Sequence, residues 1–274
     1  MTRADEMFKD NIRNILYKGA KDINPRAKYR DGVPAHTIFV SDVYEKYEID
    51  QVPITTLRNV PLKNGFGEML WIYQMGSNKL SDLHDMGISY WDDWDIGDGT
   101  IGERYGKTVS NYKLTERLLK ELKENPFSRR HVMSLWQEED LKMSGLHPCA
   151  FLTEWVVMPR DGEMYLDLML IQRSNDYVVS GHINMAQYKA LQLAFAKHLG
   201  YKAGTFSRHV ANMHLYDRHE LQALELLNRE GSPVEPIMFL DVPDGTSFWD
   251  LKVSDLKIEN YYPVKPQLKF DLGI

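Results

Sequence analysis

A chain of 274 residues suits one large domain or two small ones, and its 43% hydrophobic and 26% charged residues are typical of a soluble globular protein. The formal net charge of −6 gives no bulk attraction for nucleic acid or anionic lipid, although a local basic pocket is compatible with it. The single cysteine excludes an internal disulfide framework, and we find no signal peptide and no run of 18 apolar residues, so we expect a cytoplasmic protein with no membrane or DNA partner.

The first half of the chain alternates between helical and extended patterns. Apolar residues at helical spacing predict helices, in chain order, at the N terminus up to Gly19, at 63–76, as a short turn within 81–95, and before Pro126 over 112–125. Extended segments are predicted at 35–49 and at 52–65, where prolines interrupt the second. The turn-rich segment 23–34 carries three positive charges.

The second half is richer in strands. Strand-like segments are predicted, in chain order, at 129–136, 149–159, 163–174 and 204–216, with a tight hairpin turn at 160–162. A long helix over 182–198 is apolar on most faces and ends at Gly200, so we expect it to be deeply buried. A helix at 217–230 and a tail of short strands and turns follow. The chain has no repeat and no linker, and we predict one α+β domain over 1–274.

Cys149 follows a proline and opens a strand-like segment. A lone free cysteine is most often a small, inert core residue. A functional role requires a lowered thiol pKa and therefore positive charge nearby. Arginines are the residues that could supply that charge.

Two arginine motifs are candidates for anion binding. Arg173 stands at the end of an apolar strand and is followed by Ser174, an arrangement that suits a phosphate. Arg129 and Arg130 are adjacent, so on a strand they would face opposite ways. Either they form a solvated surface pair, or they serve different places.

Three further residues have side chains that could act chemically. His214 and Tyr216 are two apart on a predicted strand and would point to one face, either as core residues or as two polar tips of a site. Glu68 lies in an otherwise apolar helix, where it either faces solvent or is a buried acid with a raised pKa. The histidines show no metal-ligand spacing, and no Gly-rich phosphate loop is present. The residues alone therefore indicate an α+β domain with an anionic-ligand pocket and no metal.

Taken together, these segments resemble the thymidylate synthase family, folate-dependent enzymes that methylate dUMP. The resemblance runs from about residue 8 to Ile274, and Asn184 follows Asp176 by eight residues, as the family pattern requires. The matching motifs, in the family's order, are EMLW at 68–71, YWDDW at 90–94, RYGK at 104–107, SRRH at 128–131, PC at 148–149, QRSND at 172–176 and HLYDRH at 214–219.

The resemblance implies a reaction. Cys149 would add to C6 of the uracil ring, which makes C5 nucleophilic toward the one-carbon unit of 5,10-methylenetetrahydrofolate. Glu68 would organise proton transfer and Tyr105 would lie beside the nucleophile. The products would be dTMP and dihydrofolate, and no metal would be required.

The resemblance also implies how the two substrates bind. The phosphate would be held by Arg26, Arg173 and Ser174, together with Arg129 and Arg130 donated across a two-fold interface, so four arginines would favour the thiolate. The remaining contacts would be Asn184 with the pyrimidine edge at N3 and O4, His214 and Tyr216 with the sugar, and Trp91, Asp176 and the Ile274 carboxylate with the folate side of the site. The implied fold is a large mixed sheet flanked by helices, paired through the sheet in a homodimer.

Several positions depart from the family pattern. Ala150 replaces the usual histidine after the nucleophile, Ser180-Gly181-His182 replaces Gly-Leu-Pro, and Ala211-Asn212 replaces Gly-Asp. The last two changes lie around the nucleotide and leave two alternatives open. The first is a hydroxymethylase that uses the same folate; Asn184 favours uracil over cytosine, whereas Trp91 favours hydride transfer over attack by water. The second is a binding relative without catalysis, which the presence of both Cys149 and Glu68 disfavours.

Overall fold

The structure is a computed structural model that describes residues 1–273, so the terminal Ile274 lies outside it. A seven-stranded sheet and a separate two-stranded sheet are surrounded by helices. The helices are α1 (Arg3–Lys18), α2 (Leu62–Met69), α3 (Leu80–Asp85), α4 (Gly106–Asn111), α5 (Leu114–Glu124), α6 (Glu138–Leu141), α7 (Tyr177–Leu199) and α8 (Glu220–Asn228). The strands are β1 (Ala20–Lys21), β2 (Thr37–Tyr47), β3 (Val132–Ser134), β4 (Ala150–Arg160), β5 (Glu163–Gln172), β6 (Asn175–Asp176), β7 (Lys202–Tyr216), β8 (Ile237–Leu240) and β9 (Leu256–Glu259).

The large sheet is mixed, as predicted. Its strand order is β1-β2-β7-β5-β4-β3, and β6 pairs with β7 outside this path. Strands β5 and β7 are parallel because α7 connects them across the sheet, whereas β2 and β7 are antiparallel. The predicted hairpin between β4 and β5 is confirmed: Asp161 and Gly162 both have positive φ, which is the backbone of a two-residue type I′ turn.

Helix α7 is the central buried helix, as predicted, but it begins five residues earlier than position 182. It starts directly after β6 at Tyr177 and ends at Gly200, whose φ of 70° provides a left-handed cap. Gly181 lies inside it because a Cβ there would approach the Tyr177 ring to 2.9 Å. The glycine therefore permits close packing and does not break the helix.

Other boundaries also differ from the predictions. The helix predicted at 63–76 is α2 followed by a π-helical turn over Leu70–Gln74, in which the Met75 N–H donates to the Leu70 carbonyl at 2.9 Å. The segment 52–65 forms no strand before α2, because Thr55 and Thr56 bond to the buried carboxylate of Asp5 instead of to a neighbouring strand. The helix predicted at 217–230 is a 3₁₀ turn followed by α8.

One buried ion pair joins β2, β7 and α7. The Arg208 guanidinium and the Glu45 carboxylate are 0% and 1% exposed, and Arg208 Nε donates to Glu45 Oε2 at 2.7 Å. The other carboxylate oxygen accepts from Asn11 Nδ2 and from the Tyr177 hydroxyl, each at 3.0 Å. Arg208 also donates to the Gly181 carbonyl at 3.1 Å, so the pair fixes the first turns of α7 on the sheet.

Replacing only one member of this pair should destabilise the protein far more than replacing both. Glu45→Met leaves an uncompensated buried guanidinium and should lower the free energy of unfolding by about 3–5 kcal/mol, whereas Glu45→Met with Arg208→Met should cost much less. Urea unfolding of the three proteins measures the difference. A double variant as unstable as the single one would contradict this account of the pair.

Candidate active site

Cys149 lies immediately before β4, and Arg173 holds its loop in place. Arg173 Nε donates to the Pro148 carbonyl at 2.9 Å and an NH2 donates to the His147 carbonyl at 2.8 Å. The same guanidinium lies 3.6 Å from Cys149 Sγ, and the Arg173 backbone N–H donates to the Cys149 carbonyl at 2.9 Å. The end of β5 therefore places a cation directly against the thiol.

The thiol pKa reflects two opposing influences. Burial raises the pKa of Cys149, while Arg173 and then Arg26 lower it. Arg26 is exposed on the loop that leads to β2, and Ser174 directly follows Arg173 just after the end of β5. Two of the four predicted arginines therefore act on the thiol from within the chain, and burial outweighs them.

Arg129 and Arg130 are not part of this cluster within one chain. The expectation that they lie on a strand is wrong, because β3 begins only at Val132, where pairing with β4 starts. Both side chains are exposed, and among residues 1–273 neither forms an ion pair. They lie on the loop before the edge strand of the sheet.

A buried acid and aromatic rings lie near Tyr105, which is close to both Cys149 and Glu68. Glu68 is 7% exposed, and burial raises the pKa of its carboxyl, while the nearby Tyr90, Trp91 and Gln187 side chains lower it in part. The Tyr90 hydroxyl donates to Glu68 Oε2 at 2.5 Å. The Trp91 and Tyr105 rings pack edge to face with centroids 5.1 Å apart. Glu68 is therefore a buried acid, not a solvent-facing one.

Tyr105 belongs to this group of aromatic side chains and also lies close to Cys149. Burial raises the pKa of the Tyr105 phenol, and the negative charge of a Cys149 thiolate raises it further, while the Cys149 backbone lowers it in part. Its φ of 50° and ψ of −107° form an uncommon backbone for a non-glycine residue, and it is the residue that precedes α4. Such backbone strain is held where the surrounding structure fixes it, as it does beside Cys149.

Asn184 projects from α7 into a chain of amides. Its Oδ1 accepts from Asn175 Nδ2 at 3.1 Å and from Gln172 Nε2 at 3.3 Å. Its Nδ2 donates to Gln187 Oε1 at 3.0 Å. The predicted pyrimidine-reading residue is thus held in one orientation.

His214 and Tyr216 lie side by side at the end of β7, as the period of a strand predicts, with ring centroids 5.5 Å apart. Burial lowers the pKa of His214 to about 4, so the ring is neutral near pH 7, and Asn212 Oδ1 lies 2.9 Å from its Nδ1. Burial raises the pKa of Tyr216 to about 12, so its hydroxyl stays protonated. Near pH 7 the His214 ring and the Tyr216 hydroxyl are therefore both uncharged hydrogen-bonding groups.

Asp176 precedes α7 and is a second acid with an unusual environment. Burial raises the pKa of its carboxyl to about 7, against smaller opposing effects of the Val179 backbone N–H and of Arg58. No side chain or backbone group in residues 1–273 forms a hydrogen bond with its Oδ1. The prediction for the Ile274 carboxylate lies outside the described residues, but the preceding Gly273 carbonyl accepts from the Tyr216 hydroxyl at 3.3 Å.

Sequence patterns missed five residues of this site. Tyr90 belongs to the YWDDW motif, and Gln172 and Asn175 belong to the QRSND motif, but Gln187 and Arg208 lie in apolar segments without such a signal. A polar residue within a buried strand or helix is the pattern that would have found them. In the part of the chain described, no three His, Cys, Asp or Glu side chains could hold one metal ion, and no helix is long and apolar enough to cross a membrane.

A cysteine against a guanidinium, with a buried acid in the same part of the fold, is an arrangement typical of enzymes that use nucleophilic catalysis. A family model described as thymidylate synthase matches residues 6–274. The chain therefore belongs to the thymidylate synthase family, which are enzymes of the methyltransferase type.

Individual relatives agree with this placement over their whole length. Proteins named thymidylate synthase from Streptococcus suis (strain 05ZYH33) and Lactococcus lactis subsp. cremoris (strain SK11) are each 49% identical, with 100% of both chains covered. The solved structure of thermostable thymidylate synthase A from Bacillus subtilis superposes with a TM-score of 0.90 at 32% identity, again over 100% of both chains. None of these comparisons supports the hydroxymethylase alternative.

Replacing Asp176 should change how stability depends on pH. The pKa of this carboxyl rises from 3.8 to about 7 on folding, so the folded protein binds the proton more tightly than the unfolded chain does. Wild type should therefore gain stability relative to Asp176→Asn as the pH falls from about 7 toward 4, by about 1–3 kcal/mol. Urea unfolding of both proteins at about pH 8 and about pH 5 measures this gain.

His214 is buried as a neutral ring and its pKa is lowered on folding, so it makes the protein less stable as the pH falls. That contribution is common to wild type and to Asp176→Asn and cancels in the difference between them. A difference in unfolding free energy that does not change with pH would show that Asp176 titrates as an ordinary exposed carboxyl.

Proposed function

We propose that this protein methylates dUMP to dTMP with 5,10-methylenetetrahydrofolate as co-substrate and releases dihydrofolate. The observation that carries the proposal is the placement of Cys149 Sγ 3.6 Å from the Arg173 guanidinium, in a cluster that also contains the buried Glu68. A non-catalytic binding protein has no use for this combination of a cysteine held against a cation and an acid with a raised pKa.

Cys149 would act as the nucleophile. Its thiolate attacks C6 of the uracil ring, the C5–C6 double bond opens, and the electron pair moves through C5 toward O4. Arg173 favours the thiolate because its guanidinium is a fixed positive charge against the sulfur. Phosphate binding by Arg26, Arg173 and Ser174 would place C6 over the sulfur.

Glu68 and Asn184 would serve the pyrimidine. The Asn184 amide can donate an N–H to O4, where negative charge develops after the attack. Burial raises the pKa of the Glu68 carboxyl, and such an acid suits general acid–base catalysis. His214 and Tyr216, both neutral, would hold the sugar hydroxyl by hydrogen bonds.

The folate would supply the one-carbon unit and the hydride. Two features of the chain fit such a ligand. Asp176 Oδ1 is buried without a hydrogen-bond partner among residues 1–273, and it would meet the N–H donors of a pterin ring. Trp91, 6% exposed, provides an apolar wall beside Glu68 that would keep water from the reacting carbon.

The active unit would be a homodimer paired through the large sheet. The face of the sheet away from α7 exposes apolar side chains on several strands, namely Tyr44, Val132, Val156 and Met158, which are 56%, 37%, 51% and 40% exposed. An apolar patch of this kind on a sheet is typical of a protein interface. Arg129 and Arg130 stand at the edge of this face, where they could reach the phosphate site of a partner. A reducing cytoplasm suits a reaction that needs the single cysteine as a thiol.

Wild-type protein incubated with dUMP and methylenetetrahydrofolate should yield dTMP and dihydrofolate, identified by mass. Cys149→Ser should retain dUMP binding within a few fold but lose most of its turnover, because an alcohol is a far weaker nucleophile than a thiolate. Hydroxymethyl-dUMP with tetrahydrofolate would contradict the assigned product. Unchanged turnover of the variant would contradict the assigned nucleophile.

Mixed subunits test the shared phosphate site. Arg129→Ala and Cys149→Ala proteins should each be impaired, yet a mixture should recover part of the activity, since one heterodimer site combines an intact cysteine with an intact arginine. A mixture of Arg173→Ala and Cys149→Ala is the matched control and should not recover, because both residues serve the same site of one chain. Absence of recovery in the first mixture, with heterodimers demonstrated by native mass spectrometry, would refute the cross-subunit arrangement.

A further inference from the structure

Hydrogen bonds link the side-chain amides around Asn184 in a fixed order from donor to acceptor. The first donor is Arg208. A guanidinium has only donors, so the Gln172 oxygen must face Arg208 NH1, 3.1 Å away. The Gln172 amide nitrogen is thereby directed at Asn184 Oδ1, 3.3 Å away. Gln172 and Arg208 are both 0% exposed, so no water competes for these positions.

Two groups hold the Asn184 oxygen, and we call each an anchor: the first is Arg208 with Gln172, and the second is Ser180 with Asn175. The Ser180 hydroxyl donates to the Asp176 carbonyl at 3.0 Å, so it can only accept from Asn175 Nδ2, 3.2 Å away. The same Asn175 nitrogen donates to Asn184 Oδ1 at 3.1 Å. Ser180 is one of the positions that depart from the family pattern, and it acts on the amide next to the pyrimidine-reading residue.

The chain of amides ends at Gln187. Asn184 Nδ2 donates to Gln187 Oε1 at 3.0 Å, so the Gln187 oxygen faces Asn184. The donor-only guanidinium at one end and this oxygen at the other align the amides between them. Rotating the Asn184 amide by 180° would set two donors against its nitrogen and leave the Gln187 oxygen facing an oxygen.

We propose that Arg208, acting through Gln172, and Ser180, acting through Asn175, are positioning residues that select the pyrimidine by fixing the direction of the Asn184 amide. With its oxygen held by Gln172 and Asn175, Asn184 turns its remaining N–H toward the group at C4 of the base. A carbonyl at C4 accepts that bond, whereas the 4-amino group of a cytosine meets it donor to donor. This inference rests on the proposed function, since it assumes that Asn184 faces the pyrimidine of dUMP.

Releasing both anchors tests the proposal. Glu45→Met with Arg208→Met removes the first anchor without leaving a buried charge, and Ser180→Ala removes the second. The ratio of Kd for dCMP to Kd for dUMP, measured by calorimetry without folate, should fall by about threefold for the pair and by about tenfold or more for the triple variant. The change should consist of both weaker dUMP binding and stronger dCMP binding.

A ratio within about twofold of wild type in the triple variant would overturn the proposal, and so would equal weakening of both nucleotides, which is the result of a merely structural role. Arg160→Met with Asp167→Asn is the matched control. It breaks a half-buried pair of the same sheet, where Arg160 NH2 lies 2.6 Å from Asp167 Oδ2, and it should leave the ratio unchanged. A shift in this control would attribute the effect to general loosening.

Gln172→Met gives an independent test that leaves the Arg208–Glu45 pair intact. It removes one donor to the Asn184 oxygen while Asn175 keeps the other, so the ratio should fall by about threefold; an unmoved ratio would oppose the proposal. Failure of the proposed function is recognised separately, as wild type that binds dUMP and forms no dTMP. The binding ratios still decide the role of Arg208 in that case.

Discussion

The structure depends on a buried charge that cannot be left without partners. Arg208 and Glu45 are removed from water, and the free energy lost on desolvation is recovered only if every donor and acceptor around them is placed correctly. This requirement fixes β2 against β7 and fixes the start of α7 on both. The residues that would read the nucleotide project from those same elements, so the core and the site are one hydrogen-bonded unit.

The site itself combines three acidic groups whose pKa values are all raised by burial. Burial makes Cys149 a weaker acid than a free thiol, and it makes Glu68 and Asp176 weaker acids than free carboxyls. A carboxyl that holds its proton near neutrality can donate it, which suits proton transfer. A thiol that holds its proton is a poor nucleophile, so it needs more positive charge than Arg173 and Arg26 supply. In the proposed dimer, the partner subunit and the substrate site it completes would provide that charge.

The sequence predicted most elements because their apolar spacing is regular, and the β4–β5 hairpin because Asp161-Gly162 suits one turn type. It placed the start of α7 too late because Ser180 and Gly181 have poor helix propensity, whereas packing against Tyr177 decides their conformation. Motifs in family order located the cysteine, its arginine and the acid. The amide chain could not be predicted, because the direction of an amide depends on contacts between residues such as Gln172 and Arg208, which lie 36 positions apart.

The π-helical turn at Leu70–Gln74 has a consequence for how this chain can vary. It holds one residue more than an α-helical turn, and Gln74 at its end donates to the Phe248 and Leu251 carbonyls at 2.6 and 3.0 Å. Loss of a single residue here would restore regular α geometry but rotate everything beyond it by about 100°, carrying Gln74 away from its acceptors. The segment after Glu68 is therefore constrained in its length as well as in its buried side chains.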